Sequence, residues 1–202
     1  MVSRTTTPFT MIDPLLLPLP TSIETERLIL RVPQAGDGPA LHAAVCESQP
    51  ELRQFLSALP WVANPSTPEA AEARSRTGAA NFLLRTHQSF HLFEKSSGQL
   101  LGGAGLLRTV WDLPKTEVGY WMRSACAGRG FAREAVEALV DYAFTQMRVV
   151  RVELIADEAN LASRRVAERC SFELEGILRQ DRRATDGSLR NTCVYARLRP
   201  AP

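Results

Sequence analysis

The amino-acid sequence predicts an α+β fold built as a single domain. The chain has 202 residues, a length typical of one domain with one buried core. Segments with the alternation of β-strands occur in groups, and helical segments stand between those groups instead of following every strand. Short turn sequences join neighbouring strands, which makes antiparallel pairs the expected arrangement. These three observations predict a largely antiparallel sheet accompanied by helices.

The first half of the chain predicts one strand, three helices and a hairpin of strands. Residues 1–22 are proline-rich and aperiodic, so we expect an extended N-terminal arm before a domain that spans 23–202. Thr67 and Pro68 are suited to the N-cap and the first position of a long helix. The predicted elements are a strand at 27–33, helices at 36–48, from 51 to just before Pro60 and at 67–87, and strands at 89–95 and 100–110.

The second half predicts two more helices, each preceded and followed by strands. A glycine-containing loop leads into a helix that begins near Phe131 and carries one apolar stripe with helical period. Asn160 is the N-cap candidate of the last helix. The predicted elements are strands at 116–122, 149–156, 172–179 and 191–198, the helix that begins near Phe131 and a helix at 160–170. The apolar stripe of the first helix consists of Phe131, Ala135, Val136, Leu139, Val140, Ala143, Phe144 and Met147.

The composition argues against several classes of protein. Lysine and arginine number 24 and aspartate and glutamate 22, a net charge of +2 that gives no reason to expect DNA or a membrane as a partner. No apolar run approaches the length of a membrane span, and the leucines at 15–17 lie among prolines, unlike a secretory signal. Four scattered cysteines without a CxxC pair predict free thiols, a cytoplasmic location and no metal site.

The stretch ACAGRGFAREAVEAL, residues 125–139, places two glycines directly before a helix. A helix N-terminus offers unpaired N–H groups and the positive end of the helix dipole, and glycines let an anion approach the backbone. Gly128 to Ala132 can therefore cradle a phosphate, although glycines that only relieve backbone strain explain the pattern equally well. The sequence matches neither the GxxxxGK[ST] phosphate loop nor the dinucleotide fingerprint, whose third small residue is replaced by Arg133.

Two longer strings resemble the GNAT acetyltransferase superfamily. They are EVGYWMRSACAGRGFAREAVEALVDYAF, which begins at Glu117, and RVELIADEANLASRRVAERCSFELEGIL, which begins at Arg151. ETERLILR and ELRQFLSALPW are similar to the RimJ/RimL-like branch, whose members acetylate the N-termini of ribosomal proteins. The resemblance covers residues 23–198. It implies a mostly antiparallel mixed sheet of about six to seven strands flanked by helices, with a splayed cleft for acetyl-CoA.

The resemblance implies that the strand, the glycine loop and the following helix bind acetyl-CoA. In the family a pattern [QR]xxGx[GA] holds the pyrophosphate, mainly through backbone N–H groups. Three positions depart from the family: Ala127 replaces Gln or Arg, Ser171 replaces a glycine, and Ala167 replaces a tyrosine that is thought to protonate the leaving thiolate. The implied acetyl-CoA-binding residues are Trp121, Met122, Arg123, Ala127, Gly128, Arg129, Gly130, Phe131, Ala132, Asn160 and Ser163.

Ser163 and Glu117 are the candidate catalytic residues. Ser163 occupies the serine of the family's NxxS pattern and is expected to donate to the leaving thiolate; alternatively, it and Asn160 only form the first turn of a helix. Glu117 stands where several members carry a carboxylate and is expected to act as the base, directly or through water; alternatively, it is a salt-bridged strand residue. Asp181 and Asp186 are weaker candidates for the base, because both suit turns.

The expected reaction is direct transfer of the acetyl group from acetyl-CoA to a primary amine through a tetrahedral intermediate. The branch resemblance implies a protein N-terminal α-amine as acceptor, and such an amine, with a pKa of about 7.7–8.0, needs only a weak base. The alternatives are a small-molecule amine, such as an antibiotic, polyamine or amino acid derivative, and a CoA-binding protein without turnover. We expect a monomer or homodimer, and an acceptor pocket lined by Phe55, Trp61, Trp111 and Tyr120.

Overall fold

Eight strands form one sheet in residues 13–200, which are the residues that the computed structural model describes. The strands are β1 (Ser22–Glu24), β2 (Leu28–Arg31), β3 (Gln88–Glu94), β4 (Leu100–Val110), β5 (Lys115–Met122), β6 (Arg151–Asp157), β7 (Glu173–Arg183) and β8 (Leu189–Leu198). The helices are α1 (Gly38–Leu56), α2 (Pro60–Ala63), α3 (Pro68–Leu83), α4 (Phe131–Thr145) and α5 (Leu161–Arg169).

The sheet is mixed and mostly antiparallel, as predicted. Its strand order is β1-β2-β3-β4-β5-β6-β8-β7, and among the described strands only β5 and β6 run parallel. The eight strands exceed the expected six to seven because β1 pairs with β2, from Ser22↔Arg31 to Glu24↔Ile29. A strand of three residues carries too little alternation to be predicted from the sequence.

The parallel pair of strands separates after three residues. β5 and β6 pair through Lys115↔Arg151, Thr116↔Val152 and Glu117↔Glu153. Both strands continue beyond this point without pairing with each other. We call the opening between residues 118–122 of β5 and 154–157 of β6 the strand gap; it corresponds to the splayed cleft that the family resemblance implies.

The two faces of the sheet carry different hydrophobic cores. One face packs against α4 and α5 in a main core that contains Val118 of β5, Leu154 of β6 and Leu139 of α4. The other face packs against α1, α2 and α3 in a smaller core that contains Leu41 and Trp121. Since successive strand residues point to opposite faces, β5 serves both cores, and the strand gap opens between them.

Helix α1 runs without interruption through Pro50. The prediction of two separate helices on either side of Pro50 is therefore wrong. A proline inside a helix removes one backbone hydrogen bond and costs roughly 3 kcal/mol. Here Pro50 lies on the exposed side of the helix, while Leu41, Val45 and Leu52 continue one buried stripe across it. Tertiary packing of that stripe outweighs the local penalty, and Pro60 begins α2 instead of following a helix.

Two predicted N-caps are confirmed by their hydrogen bonds. The Thr67 hydroxyl accepts from the N–H of Ala70 at 3.1 Å, at the start of α3. The Asn160 side chain accepts from the N–H of Ser163 at 3.1 Å, at the start of α5. Each bond satisfies one of the N–H groups that a helix leaves unpaired at its N-terminus.

The predicted N-terminal arm lies partly outside the described residues, which begin at Asp13. Leu17 and Leu19 are buried in the main core. The Arg85 guanidinium donates to the carbonyl of Leu17 at 2.7 Å, and the Tyr142 hydroxyl donates to that of Pro20 at 2.9 Å. The part of the arm that the structure describes is thus packed onto the sheet. Within residues 13–200 no helix combines the length and apolarity needed to cross a membrane.

Candidate active site

The glycine loop presents a row of unpaired backbone donors at the start of α4. Gly128 and Gly130 have φ values of +75° and +84°, a region that glycine adopts without steric cost. Gly130 is the N-cap of α4, and its carbonyl accepts the first helical bond, from the N–H of Glu134 at 3.1 Å. The N–H groups of the first turn have no helical acceptor and lie at the positive end of the helix dipole. This geometry suits a phosphate.

A brace that sequence reasoning missed holds this loop from the N-terminal side. The Glu134 carboxylate accepts hydrogen bonds from the Thr25 hydroxyl at 2.5 Å and from the backbone N–H of Arg27 at 2.8 Å. The Arg27 guanidinium donates to Glu134 at 2.7 Å and to the carbonyl of Arg129 at 3.0 Å. Although burial raises the pKa of Glu134, the bonds from Thr25 and Arg27 lower it overall, so the carboxylate stays charged and paired.

The arginine inside the loop is engaged with the protein. The Arg129 guanidinium pairs with Glu94 at 3.0 Å and lies 4.7 Å from the centre of the Phe131 ring. The Arg27 guanidinium lies over the same ring at 4.5 Å. These contacts fix the backbone of the loop before any ligand arrives, and preorganised donors bind more tightly than mobile ones.

Alternate backbone groups of β5 face the strand gap. The N–H of Arg123 donates to the carbonyl of Leu101 on β4 at 2.7 Å. In an antiparallel ladder the bonded residues alternate, so Val118, Tyr120 and Met122 direct their N–H and C=O groups away from β4. The Val118 N–H still meets β6, because the bridge between Glu117 and Glu153 uses the residues that flank Glu117. The groups of Tyr120 and Met122 have no strand partner because β6 has separated from β5.

The three residues expected to contact acetyl-CoA at the end of β5 therefore have different positions. Met122 offers its main chain to the strand gap. Trp121 directs its main chain toward β4, and its ring packs against that of Trp61 with 5.6 Å between centroids. The Arg123 side chain pairs with Glu47 of α1, to which its Nε donates at 3.1 Å.

Ser163 and Tyr120 meet across the strand gap. Ser163 lies in the first turn of α5, where its own N–H donates to Asn160. The Tyr120 hydroxyl, which extends from β5, donates to Ser163 Oγ at 3.1 Å. Burial is the main cause that raises the pKa of Tyr120, to about 12. Ala167, one turn further along α5, is completely buried and contributes only a methyl group.

Glu117 lies at the last paired position before the strand gap opens. Its carboxylate accepts a hydrogen bond from Arg108 Nε at 2.9 Å, and this bond is the main cause that raises the pKa of Arg108. The weaker candidates lie elsewhere: Asp181 is exposed on β7, and Asp186 accepts from the N–H of Ser188 at 2.9 Å in the β7–β8 turn.

The structure does not bring together the four aromatic residues expected to line an acceptor pocket. Tyr120 faces the main core, whereas Trp61 packs in the smaller core. Trp111 lies in the turn that precedes β5, and β5 itself is about 23 Å long from Lys115 to Met122 if each residue rises ~3.3 Å. Phe55 lies at the end of α1, 5.7 Å below the guanidinium of Arg190.

One of these aromatic residues lines a concave site beside the smaller core. A cavity of about 250 Å³ lies between α1, α2 and α3, and its lining includes Trp61, Asn64, Ser66 and Arg74. The Arg74 guanidinium lies 3.7 Å from the centre of the Trp61 ring. Residues 13–200 contain no group of three or more histidine, cysteine or acidic side chains arranged to hold a metal ion.

Comparison with known proteins identifies one family. Residues 27–173 match the family described as acetyltransferase (GNAT) domain. The chain is 29% identical over 167 residues to an uncharacterized N-acetyltransferase, p20, of Bacillus licheniformis, which covers 81% of this chain and 88% of that protein. It is 26% identical over 159 residues to the ribosomal-protein-serine acetyltransferase of Escherichia coli, which covers 78% of this chain and 85% of that protein.

Solved structures share the fold at lower identity. The structure of the microcin C7 self-immunity acetyltransferase MccE, in complex with acetyl-CoA and AMP, matches with a TM-score of 0.80 at 16% identity. The structure of RimL, a ribosomal L7/L12 alpha-N-protein acetyltransferase in complex with coenzyme A, matches with a TM-score of 0.79 at 22% identity. Each match covers 89% of this chain and 97% of the other chain.

Proposed function

The chain belongs to the GNAT acetyltransferase family and is an N-acetyltransferase, and on that premise we propose that acetyl-CoA is its acetyl donor. The observation that carries this proposal is the row of unpaired N–H groups at Gly128–Arg133, at the end of β5 where the strand gap opens. A pyrophosphate bound there would leave the pantetheine arm beside the free backbone groups of β5. The acetyl-CoA complex of MccE and the coenzyme A complex of RimL support the same donor.

We propose a protein N-terminal α-amine as the acceptor. Support comes from the E. coli relative and from RimL, whose names specify ribosomal proteins. The chemistry agrees with this choice: an α-amine has a pKa of about 7.7–8.0 and is partly neutral at neutral pH, whereas a lysine amine, at about 10.4, requires a stronger base. The candidate base, Glu117, is already engaged by Arg108.

A small-molecule amine is the second candidate acceptor. The cavity between α1, α2 and α3 favours an amine that also carries an acid group, such as an amino acid derivative, because the Arg74 guanidinium over the Trp61 ring offers a positive charge there; the same charge disfavours a polyamine. Membership of a family of N-acetyltransferases argues against the third alternative, a CoA-binding protein without turnover.

The proposed reaction assigns a task to each group around the strand gap. Glu117 accepts the proton of the amine, directly or through water, as the amine attacks the thioester carbon. The N–H of Tyr120, which faces the strand gap nearer to Glu117, stabilises the oxygen of the tetrahedral intermediate, and that of Met122 holds the pantetheine arm. When the C–S bond breaks, the electron pair leaves on sulfur, and Ser163 donates a hydrogen bond to it. Asn160 holds the first turn of α5 in place.

We also propose a cytoplasmic location and a monomer or homodimer that acts without DNA, membrane or metal. All four cysteines are free, and three of them are buried, which suits a reducing compartment.

Two measurements on the purified protein test the function. Acetyl-CoA at 100 times its Kd should stabilise the native state by about 2.7 kcal/mol, and therefore raise the Tm by about 5–10 °C, with or without a chelator. Free thiol should then appear with peptides that carry a free α-amine. The same peptides blocked at the N-terminus, and a polyamine, serve as controls. An unchanged Tm would rule out the donor, and thiol release with the polyamine alone would move the acceptor to the small-molecule class.

A further inference from the structure

We propose that Tyr120 is a positioning residue for the leaving sulfur: its hydroxyl, by donating to Ser163 Oγ, directs the Ser163 proton into the strand gap. This inference rests on the proposed function. Tyr120 and Ser163 belong to different sides of the opening, one on β5 and the other on α5. Their hydrogen bond spans the gap on the side of the main core.

The chemistry of the two hydroxyl groups sets the direction of this bond. A phenol is a stronger acid than an aliphatic alcohol, so Tyr120 is the better donor and Ser163 the better acceptor. An accepting Ser163 keeps its own O–H free for another partner. The Ser163 N–H is already held by Asn160, which fixes the turn that carries the hydroxyl. Ser163 is also the only hydroxyl residue on α5.

The position of Tyr120 places this bond where the reacting sulfur must pass. The main-chain groups of Tyr120 face the strand gap, between those of Val118 and Met122. A pantetheine arm that runs from the glycine loop along β5 therefore passes Tyr120 before it reaches Glu117. Its sulfur would accept from Ser163, and the chain of hydrogen bonds would run from Tyr120 through Ser163 to sulfur. Such chains strengthen each member by polarisation.

The acidity of Tyr120 separates positioning from proton donation. Burial raises the pKa of Tyr120 to about 12, whereas an ordinary thiol has a pKa of about 8.5. Transfer of the phenol proton to the thiolate would be unfavourable by a factor of about a thousand or more. Tyr120 therefore keeps its proton throughout. The C–S bond breaks, the electron pair stays on sulfur as a hydrogen-bonded thiolate, and water supplies the proton after release.

The test compares two tyrosine-to-phenylalanine variants. Tyr142 is the matched control, because its hydroxyl is also part-buried, donates to a carbonyl at 2.9 Å and lies in the same core, away from the strand gap. Tyr120→Phe should lower kcat about tenfold, because Ser163 then loses the partner that directs its own hydrogen bond to the charged sulfur, and a bond to a charged group is worth about that factor or more; the KM for acetyl-CoA should change less than about twofold. Tyr142→Phe should lower only the Tm.

The pKa of the bound coenzyme A thiol gives a readout that needs no turnover. It is measured by titrating the complex and monitoring the ultraviolet absorbance of the thiolate. Tyr120→Phe should raise the thiol pKa in the complex by about one unit, the tenfold equivalent. In the Ser163→Ala background, Tyr120→Phe should change neither kcat nor this pKa further. An unchanged thiol pKa, or losses that multiply in the double variant, would overturn the positioning role. Failure of the wild-type protein to bind coenzyme A would instead overturn the proposed function, and this role with it.

Discussion

Glu117 and Glu153 are neighbouring carboxylates, paired in register at the closed end of the strand gap, and only Glu117 is a candidate base. Glu117→Gln keeps the shape of the side chain and removes its charge. We expect kcat near neutral pH to fall about tenfold and to recover as the pH approaches the pKa of an α-amine, about 8, because neutral amine then becomes plentiful. The measurement is a pH–rate profile with a peptide acceptor.

Glu153→Gln is the matched control for that profile. Its carboxylate accepts from Arg151 Nε at 2.8 Å and from Lys115 at 3.3 Å, so its loss should lower the Tm and leave the profile unchanged. Full activity of Glu117→Gln from about pH 6 to 9 would contradict the role of Glu117 as base. Its only role would then be structural, in the ion pair with Arg108. Catalysis would then rest on proximity and on backbone donors.

Gly128 offers a second comparison between single residues. A methyl group on Gly128 would meet no atom of the protein within 4 Å, and the same is true of Gly36; both have positive φ. Gly128→Ala and Gly36→Ala should therefore each cost roughly 1–2 kcal/mol of backbone strain. Only the first places its methyl group in the proposed phosphate site, so only Gly128→Ala should raise the Kd of acetyl-CoA, by about tenfold or more. Equal Kd values in calorimetry would make the glycine loop a purely structural feature.

Single residues with a local role are the easiest to predict from sequence. The N-caps at Thr67 and Asn160 are predictable because each side-chain acceptor bonds an N–H only three residues further along the chain. The brace of the glycine loop could not be predicted in this way. Arg27 and Glu134 are 107 positions apart, and nothing in their local patterns connects them.

At the scale of elements, local signals predict most strands closely and mislead at Pro50, although Pro68 begins α3 as predicted. The hydrophobic alternation predicts the ends of β3, β4 and β5 to within about one residue. The sequence around Pro50 does not predict that α1 continues, because packing decides the outcome: Leu52 continues the buried stripe of α1 into the smaller core. Ser171 is a related case, since its φ of +59° is the conformation for which a glycine is favoured.

The brace between β2 and α4 makes an element-scale prediction. Arg27→Ala removes the guanidinium and leaves the Glu134 carboxylate poorly paired at the helix end that would bind phosphate. We expect the Kd of acetyl-CoA to rise about tenfold, because repulsion replaces two charge-assisted bonds. Arg85→Ala is the control, since Arg85 also donates to carbonyls, of Leu17 and Phe82, each at 2.7 Å. It should lower the Tm without changing the Kd, and a parallel change in both variants would contradict the role of the brace.

At the scale of the whole molecule, the sequence predicts the layers and the mixed sheet, but not how the faces of β5 are divided. Tyr120 and Trp121 are adjacent aromatic residues, and the pattern GYWM does not reveal which core receives each. That assignment depends on the register of β5 with β4 and on helices that are distant in sequence, such as α1 for Trp121 and α5 for Tyr120. The sequence therefore does not show which of the aromatic residues expected to line an acceptor pocket share a face of the sheet.

The stability of the whole molecule should depend on pH through one buried histidine. His91 links β3 to α1 through a contact of 3.1 Å between Nδ1 and Asp37. Burial is the main cause that lowers the pKa of His91 to about 4, from an ordinary value of 6.5; Asp37 opposes this shift, and Arg74 and Arg31 add to it. The native protein thus keeps His91 neutral between pH 6.5 and about 4, while the unfolded chain takes up a proton.

Stability is therefore fully present above pH 6.5 and declines as the pH falls toward 4. The loss from this residue should reach about 3 kcal/mol. Denaturant unfolding at a series of pH values measures it. His91→Gln removes the titrating group and should flatten this part of the curve, while an unchanged slope in the variant would assign the pH dependence to other residues.

The separation of β5 from β6 also has a consequence for amide hydrogen exchange. Beyond the last pair with β6, the N–H groups of Gly119 and Trp121 point to β4 and should exchange slowly with deuterium, whereas those of Tyr120 and Met122, which face the strand gap, should exchange quickly. One strand in the middle of an eight-stranded sheet would thus carry alternating slow and fast amides, the signature of an edge strand. Acetyl-CoA bound along β5 would cover the fast-exchanging amides, and all amides of this segment should then be protected from exchange to a similar degree.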